Sequence, residues 1–277
     1  MLARAFVALV GQEVEDERID LVRAALTIAQ TEYPELDTNA NCRRIEELAH
    51  RVKRQVPDLG DPSKSIAALN RVLFEEEGFR GNAEDYYDPR NSFLNDVLDR
   101  KLGIPITLAV VYMEVARRVG FPLVGVGMPG HFLLKHYDVE GPEILIDPFN
   151  RGGVLTAKDC QRRLDEIYGG QMPLQPEFLM AVSRRQVLVR ILNNLKSIYL
   201  SSRNFRKVLP IVDLVLAIYP RSPEDVKQRA RLRWSLGQTR DALADLEDYL
   251  KMSPDASDAD EIRQTAASLR RMMATMN

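Results

Sequence analysis

Two polar residues at the ends of neighbouring apolar runs have side chains suited to acid–base chemistry. His131 opens the run HFLLKHYDV, and Asp147 lies near the end of EILIDPF. An imidazole beside a carboxylate can take and return a proton near neutral pH, because the carboxylate orients the ring and stabilises its charged form. Each residue also has a structural interpretation: His131 follows Gly130 at a strand start, and Asp147 precedes Pro148, where it can cap a turn.

The segment 78–103, GFRGNAEDYYDPRNSFLNDVLDRKLG, supplies a second group of candidates. It is rich in Gly, Asn, Asp, Tyr and Arg, which favours a loop whose side chains bond to the backbone or to a ligand. The alternative is a loop that bonds to itself and covers the sheet. The candidates for a pocket beside His131 are Arg80, Asn82, Asp85, Tyr86, Tyr87, Arg90 and Asn91.

No pattern in the sequence predicts a metal site or another cofactor. His131 and His136 are five residues apart in an extended run, so they face opposite sides of a strand, and Asp138 does not complete a metal site with them. The sequence has no glycine-rich phosphate loop, no G-x-S-x-G turn and no HExxH motif. Cys42 and Cys160 lie in charged helical patterns and are expected to be reduced structural thiols.

Composition and charge narrow the classes of function. Of the 277 residues, 45% are hydrophobic and 28% charged, which is typical of a soluble globular protein. The apolar run 5–10 is short and followed by acidic residues, so we expect a cytoplasmic protein that does not bind membranes. The net charge is −2, yet residues 185–277 carry five more basic than acidic residues. This excess suits an acidic protein partner and is too small for nucleic-acid binding.

The elements that must position these residues are a helical first part, a long apolar helix and a small sheet. Apolar residues at helical spacing predict three early helices, over 16–32, 42–56 and 65–78. A fourth helix, Pro105 to Val119, is strongly apolar and is expected at the centre of the fold. Three short β-type runs predict an antiparallel sheet, over 122–128, 131–139 and 143–149. The predicted fold class is therefore α+β.

The last third of the chain contains a repeat of 34 residues. Pro220 and Pro254 stand at this offset, as do Val212 and Leu246. Paired helices closed by a proline at this period are typical of tetratricopeptide repeats, which have a concave binding face. A proline-rich connection divides the chain into predicted domains 1–180 and 181–277. The candidates for partner binding, unless they form only a solvated face, are the basic residues Arg221, Lys227, Arg229, Arg231 and Arg233.

Four motifs carry a family resemblance: FRGNAEDYYDPRNSFLNDVL, GIPITLAVVYMEVARR, PGHFL and IDPF. Together with the repeats they make the chain similar to a bacterial branch of the transglutaminase-like superfamily, named for up-regulation of invasion-gene expression. The resemblance runs from about residue 18 to the end of the sequence. It implies a papain/transglutaminase-like core, with a helical N-terminal part and the central helix packed on a small antiparallel sheet. An all-α region of tetratricopeptide-type repeats follows.

Active members of that superfamily use a cysteine at a helix N-terminus, a histidine on the next strand and an aspartate on the one after. The helix dipole and the protonated histidine lower the pKa of such a thiol, and the aspartate orients the ring. The resemblance assigns the last two positions to His131 and Asp147. It places the cysteine position among residues that cannot form a thiolate, namely Pro105, Ile106 and Thr107.

Two replacements for the missing thiol are open. One is the hydroxyl of Thr107, although an internal threonine without a dedicated base is a poor nucleophile. The other is a displaced thiol, from Cys42 or Cys160. Either group becomes a credible nucleophile if it lies within hydrogen-bond reach of His131.

Two functions from different classes follow. The first is a protein-interaction or regulatory protein, in which a catalytically degenerate domain carries a repeat surface that binds a protein partner. The second is a hydrolase or acyltransferase in which His131 is the general base, acting on water or on a displaced nucleophile. Asp147 would orient the ring, and the Tyr86–Asn91 loop would bind substrate. The first fits better, because the attacking group is missing while the residues around it are present. Docking of the repeats onto their own domain is a third possibility that needs no partner.

Overall fold

The computed structural model describes residues 2–56, 61–136 and 143–275. The chain divides into two compact units, Asp16–Ile191 and Met1–Glu15 together with Leu192–Asn277. The predicted domains, 1–180 and 181–277, stay a prediction; the compact units are divided after residues 15 and 191. The first helix, α1 (Leu2–Val10), belongs with the C-terminal helices and not with the larger unit.

The larger unit is organised around one buried helix. Its helices before the sheet are α2 (Leu21–Ala29), α3 (Thr38–Gln55), α4 (Pro62–Asn70), α5 (Leu94–Arg100) and α6 (Pro105–Val119). Helix α6 is buried on nearly every side, as its apolar sequence predicted, and α2 and α3 pack against it. Pro105 takes the first helical position, where a missing N–H costs nothing, and Gly120 ends the helix with a φ of 89°.

The third predicted helix, 65–78, is not regular throughout. Helix α4 ends at Asn70, and a π-helical segment, Arg71–Glu76, continues the chain. Its apolar side chains Val72, Leu73 and Phe74 are buried, as the pattern required. The helical segment also begins earlier than predicted, at Pro62, and ends earlier, at Glu76.

The predicted antiparallel sheet is confirmed. After a parallel pair, β1 (Arg80–Gly81) and β2 (Leu102–Gly103), the main sheet contains β3 (Val124–Val126), β4 (Leu133–His136), β5 (Ile144–Asp147), β6 (Gly153–Leu155) and β7 (Ala181–Val182). The strand order is β6-β5-β4-β3-β7, with every pair antiparallel. Helix α7 (Ala157–Tyr168) follows β6. The short strands β6 and β7 were not predicted, and the predicted extension of β4 to residue 139 reaches outside the described residues.

The repeat unit is helical. Its hairpins are formed from α8 (Arg184–Ser201, which begins in the larger unit), α9 (Phe205–Ile218), α10 (Pro223–Ser235), α11 (Thr239–Met252) and α12 (Ala259–Thr275). Helix α1 packs on α9, because its apolar face, with Phe6 and Val10, is fully buried there. Val212 and Leu246, one repeat apart, are both buried, so the predicted period coincides with the core positions. The α+β core followed by helical repeats is thus confirmed.

Candidate functional site

The sheet brings His131 and Asp147 together. Leu134 pairs with Ile146 across β4 and β5, so Asp147 lies beside the beginning of β4. Nε2 of His131 is 2.9 Å from Oδ1 of Asp147, and both side chains are buried. The ring N–H is not directed straight at that oxygen, an alignment that acid–base pairs often improve when substrate binds. The other ring nitrogen, Nδ1, has no hydrogen-bond partner in the described part of the chain.

Asp147 has partners of its own besides His131. Its Oδ1 accepts from the backbone N–H groups of Phe149 (3.1 Å) and Asn150 (3.3 Å). Its Oδ2 accepts from Nδ2 of Asn150 at 2.7 Å and from Arg163 at 3.3 Å. Burial alone would raise the pKa of Asp147, but the bond and charge of His131, with Asn150 and Arg163, hold that pKa below its usual value. Asp147 therefore caps its turn and faces His131 at the same time.

The beginning of α6 presents no attacking group to the site. Pro105 and Ile106 are buried there and have no nucleophilic atom. The hydroxyl of Thr107 donates to the carbonyl of Asn91 at 2.7 Å and accepts from the N–H of Ile104 at 3.2 Å. A hydroxyl has one proton, and the Thr107 hydroxyl already donates it to a backbone carbonyl. Thr107 is a helix-start residue that fixes the preceding loop.

Both cysteines are buried. Cys160 packs in a cluster with Met128, Leu133 and Leu164. Burial raises the pKa of the thiols of Cys42 and Cys160, and the charge of Asp147 contributes in the same direction at Cys160. A buried thiol whose pKa is raised is a weak nucleophile at neutral pH.

No cluster of three metal-ligating side chains is present among the described residues. His131 and His136 are described, whereas Asp138 lies outside the described residues. The metal-binding and cofactor expectations drawn from the sequence stay predictions.

The loop before α5 is mostly bonded to itself. Nδ2 of Asn82 donates to Oδ1 of Asn91 at 3.1 Å, and Asn91 donates to the carbonyl of Asp85 at 2.7 Å. Arg90 pairs with Asp88 at 2.8 Å. Four predicted pocket residues are therefore engaged in holding the loop: Asn82, Asp85, Arg90 and Asn91.

Phe149, in the turn after β5, connects the aromatic side chains of this loop to the histidine. The ring of Phe149 meets His131 edge-on at 5.9 Å between centroids, and Tyr86 meets Phe149 at 6.3 Å. Tyr87 packs against Tyr86 and is 74% exposed. On the other side, a Cβ at Gly130 would lie 3.0 Å from Ile167 of α7. Of the predicted loop residues, Tyr86 and Tyr87 are exposed and are joined to the His131–Asp147 pair only through Phe149, and Arg80 is exposed on β1.

Sequence reasoning missed three residues that hold the pair. Asn150 and Arg163 bond to Asp147, and Arg190 of α8 donates to the carbonyl of His131 at 2.8 Å and of Met128 at 3.2 Å. Asn150 follows Asp147 by three residues, which is a capping spacing. Arg163 and Arg190 lie in ordinary charged helices, where nothing in the sequence marks them.

The predicted basic surface of the repeats is largely paired within the repeat unit. Lys227 contacts Glu224 and Asp258, both at 2.9 Å. The guanidinium groups of Arg229 and Arg233 both bond to the buried carboxylate of Asp245, at 2.7 and 2.8 Å. Arg221 and Arg231 are exposed, and neither forms an ion pair with any described residue.

Arg231 lies at a groove formed by α8, the start of α9, and α10. The groove has a volume of about 410 Å³. Leu200, Phe205 and Leu232 supply its apolar surface, and Phe205 is partly exposed. Its two lysines are paired with acidic neighbours, since Lys196 contacts Asp225 at 3.1 Å and Lys227 contacts Glu224. The groove therefore combines an apolar floor with one unpaired cation.

None of the helices in the described part of the chain is both long and apolar enough to cross a bilayer. This agrees with the absence of a long apolar run in the sequence.

Comparison with known proteins connects this geometry to a family. The family model of the transglutaminase-like superfamily matches residues 39–193, and that of the tetratricopeptide repeat matches 195–267. The chain is 38% identical to a UPF0162 protein of Xylella fastidiosa over 253 residues, and 31% identical to one of Pseudomonas aeruginosa over 249; each alignment covers 90% of both chains. It is also 33% identical to human F-box only protein 21 over 190 residues, which are 63% of this chain and 28% of that protein. The chain therefore belongs to the transglutaminase-like superfamily, and its C-terminal helices are tetratricopeptide repeats.

Proposed function

We propose that this chain is a protein-interaction protein that binds an acidic–apolar segment of a partner in the groove formed by α8, α9 and α10. The observation that carries the proposal is the unpaired guanidinium of Arg231 above the apolar floor of Leu200, Phe205 and Leu232. A carboxylate of the partner fits the arginine, and a neighbouring apolar side chain fits the floor. The family supports this function, because tetratricopeptide repeats commonly bind peptides.

A peptide selection tests the proposal without a known partner. Random twelve-residue peptides displayed on phage are selected against the full chain, and a synthetic copy of an enriched peptide is titrated by calorimetry. We expect enriched peptides to pair an acidic with an apolar residue, and Arg231→Glu to weaken binding at least tenfold. Arg240→Glu, an equal charge change at an exposed position on α11, is the matched control. Unchanged binding by the Arg231 variant, or equal loss in both variants, would contradict the proposal.

A second candidate function is hydrolysis or acyl transfer with water as the nucleophile, supported by the unpartnered Nδ1 of His131. In this reaction His131 takes a proton from water as the oxygen attacks a carbonyl carbon, and later gives it to the leaving group. Asp147, ionised and 2.9 Å away, stabilises the imidazolium. Turnover of ester or amide substrates that is equal in the wild type and in His131→Ala would exclude this role.

A further inference from the structure

We propose that Asn70 is a positioning residue for the His131–Asp147 pair, joining the central helix α6 to the turn that carries Asp147. Asn70 is the last residue of α4. It is distant in sequence from His131 and Asp147, and its side chain forms no hydrogen bond with either of them. Its role is independent of peptide binding by the repeat groove, and it applies whether the pair binds a ligand or does chemistry.

A directional chain of hydrogen bonds runs through Asn70. Its Nδ2 donates to the carbonyl of Gly152 at 3.0 Å, and the hydroxyl of Tyr112 donates to its Oδ1 at 3.0 Å. The N–H of Gly152 in turn donates to the backbone carbonyl of Asp147 at 2.8 Å. Because a carbonyl only accepts, the amide nitrogen must face Gly152, which leaves the amide oxygen for Tyr112. Tyr112 is fully buried in α6, so the chain is anchored in the centre of the unit.

The backbone of the turn after Asp147 allows the side chain of Asn70 to approach Gly152 closely. Gly152 has a φ of 71°, and a Cβ at this position would overlap the amide oxygen of Asn70. Arg151 before it also has a positive φ, of 57°, and its guanidinium reaches the carbonyl of Phe74 at 3.5 Å. Phe74 belongs to the π-helical segment that begins directly after Asn70. Such segments are frequent at functional sites, and here the irregular helix contacts the turn at two places.

The position of the Asp147 carboxylate follows from the backbone of this turn. Its Oδ1 is fixed by the N–H groups of Phe149 and Asn150, so the carboxylate moves when the turn moves. Oδ1 lies 2.9 Å from Nε2, and a small turn of the ring completes a hydrogen bond that keeps the proton of a neutral His131 on Nε2. Nδ1 is then the acceptor, which is the form a general base needs. Asn70 therefore sets the tautomer of His131 through the turn.

The tautomer of His131 in the full-length protein tests this inference. Asn70→Leu keeps the approximate size and charge of the side chain but removes both hydrogen bonds. The ring nitrogens are observed by ¹⁵N NMR at a pH where the imidazole is neutral, with Asp147→Asn as a reference for loss of the carboxylate. In the wild type we expect about a tenfold or larger excess of the Nε2–H form. In Asn70→Leu this excess is expected to fall to about threefold or less, in the direction of Asp147→Asn.

Tyr112→Phe separates positioning from a merely structural role. It removes one hydroxyl, leaves the aromatic packing on Phe74 in place, and is expected to lower the excess of the Nε2–H form by a smaller factor. This variant decides the question if Asn70→Leu does not fold. Asn39→Ala, which removes an exposed asparagine bonded to Arg23, is the control, and its tautomer ratio is expected to equal that of the wild type. A wild-type ratio in the folded Asn70 and Tyr112 variants would overturn the inference.

Discussion

The carboxylate of Asp245 is expected to hold the repeat helices α10 and α11 together, and Asp245→Ala removes it. Asp245 lies on α11 and is 2% exposed. Nη2 of Arg229 lies 2.7 Å from Oδ1, and Nη1 of Arg233 lies 2.8 Å from Oδ2. Nε of Arg229 adds a third contact at 3.0 Å. The variant leaves two guanidinium groups on α10 without their main acceptor.

The magnitude follows from the burial of the three groups. Removing one member of a buried ion pair costs about 3–5 kcal/mol. The two arginine side chains are 22% and 21% exposed, so water replaces part of the lost interaction, and Arg229 keeps Asp213 at 3.2 Å. We therefore expect the lower end of that range, about 3 kcal/mol, in the free energy of unfolding of the repeat unit. With an ordinary urea dependence, the midpoint falls by roughly 1–2 M.

The single tryptophan makes the measurement selective. Trp234 lies on α10 and is half exposed, so its fluorescence in urea follows the repeat unit within the full chain. Asp213→Ala is the matched control: it removes a partner of the same arginines that is 33% exposed, and it is expected to cost at most about 1 kcal/mol. Equal midpoints for the two variants would refute the reasoning. Arg229 and Arg233 would then be free for a partner, as the sequence suggested.

The remaining predictions concern the larger unit. Glu114 is fully buried among arginines, with Arg184 at 3.0 Å, and those bonds outweigh burial and hold its pKa below the usual value of 4.5. A carboxyl group whose pKa is depressed in the folded state contributes stability above its unfolded pKa, and this stability is lost as the pH falls through the folded pKa. The urea midpoint of Glu114→Gln should therefore depend less on pH below about 5 than the urea midpoint of the wild type. Cys42 and Cys160 should react with a disulfide reagent at least 100-fold more slowly than in urea, because burial raises their pKa. Rapid labelling of Cys160 in the folded protein would reopen the displaced-thiol hypothesis.

The elements around the pair were predictable because their sequence patterns are local. Helix α6 runs from Pro105 to Val119, as predicted, since an N-terminal proline and a C-terminal glycine mark its ends. The proximity of His131 and Asp147 follows from the antiparallel pairing of two consecutive strands. Strands of two or three residues, such as β6 and β7, are too short to show an alternating pattern, and they were missed for that reason.

The interactions that hold the site were not predictable, because they join distant parts of the chain. Asn70 bonds to Gly152, 82 positions later, and neither residue has an unusual sequence context. In the repeats, Arg229 and Arg233 are four residues apart and so share one face of α10, which the sequence does show. Their acceptors Asp213 and Asp245 lie on other helices, and only the packing of those helices reveals that this face is internal.

The partners of Asp147 make His131 the more informative of the two residues to change. Besides His131, the ionised carboxylate of Asp147 is bonded by the backbone of Phe149 and by the side chains of Asn150 and Arg163, so these partners remain when the imidazole is removed. Removing the carboxylate leaves several donors of the turn without their acceptor, so Asp147→Asn is expected to lower the free energy of unfolding in addition to changing the site. Removing the imidazole leaves every bond of that turn in place. Activity or binding lost in a folded His131→Ala protein is therefore due to the loss of the ring and of its contacts with Asp147 and Phe149.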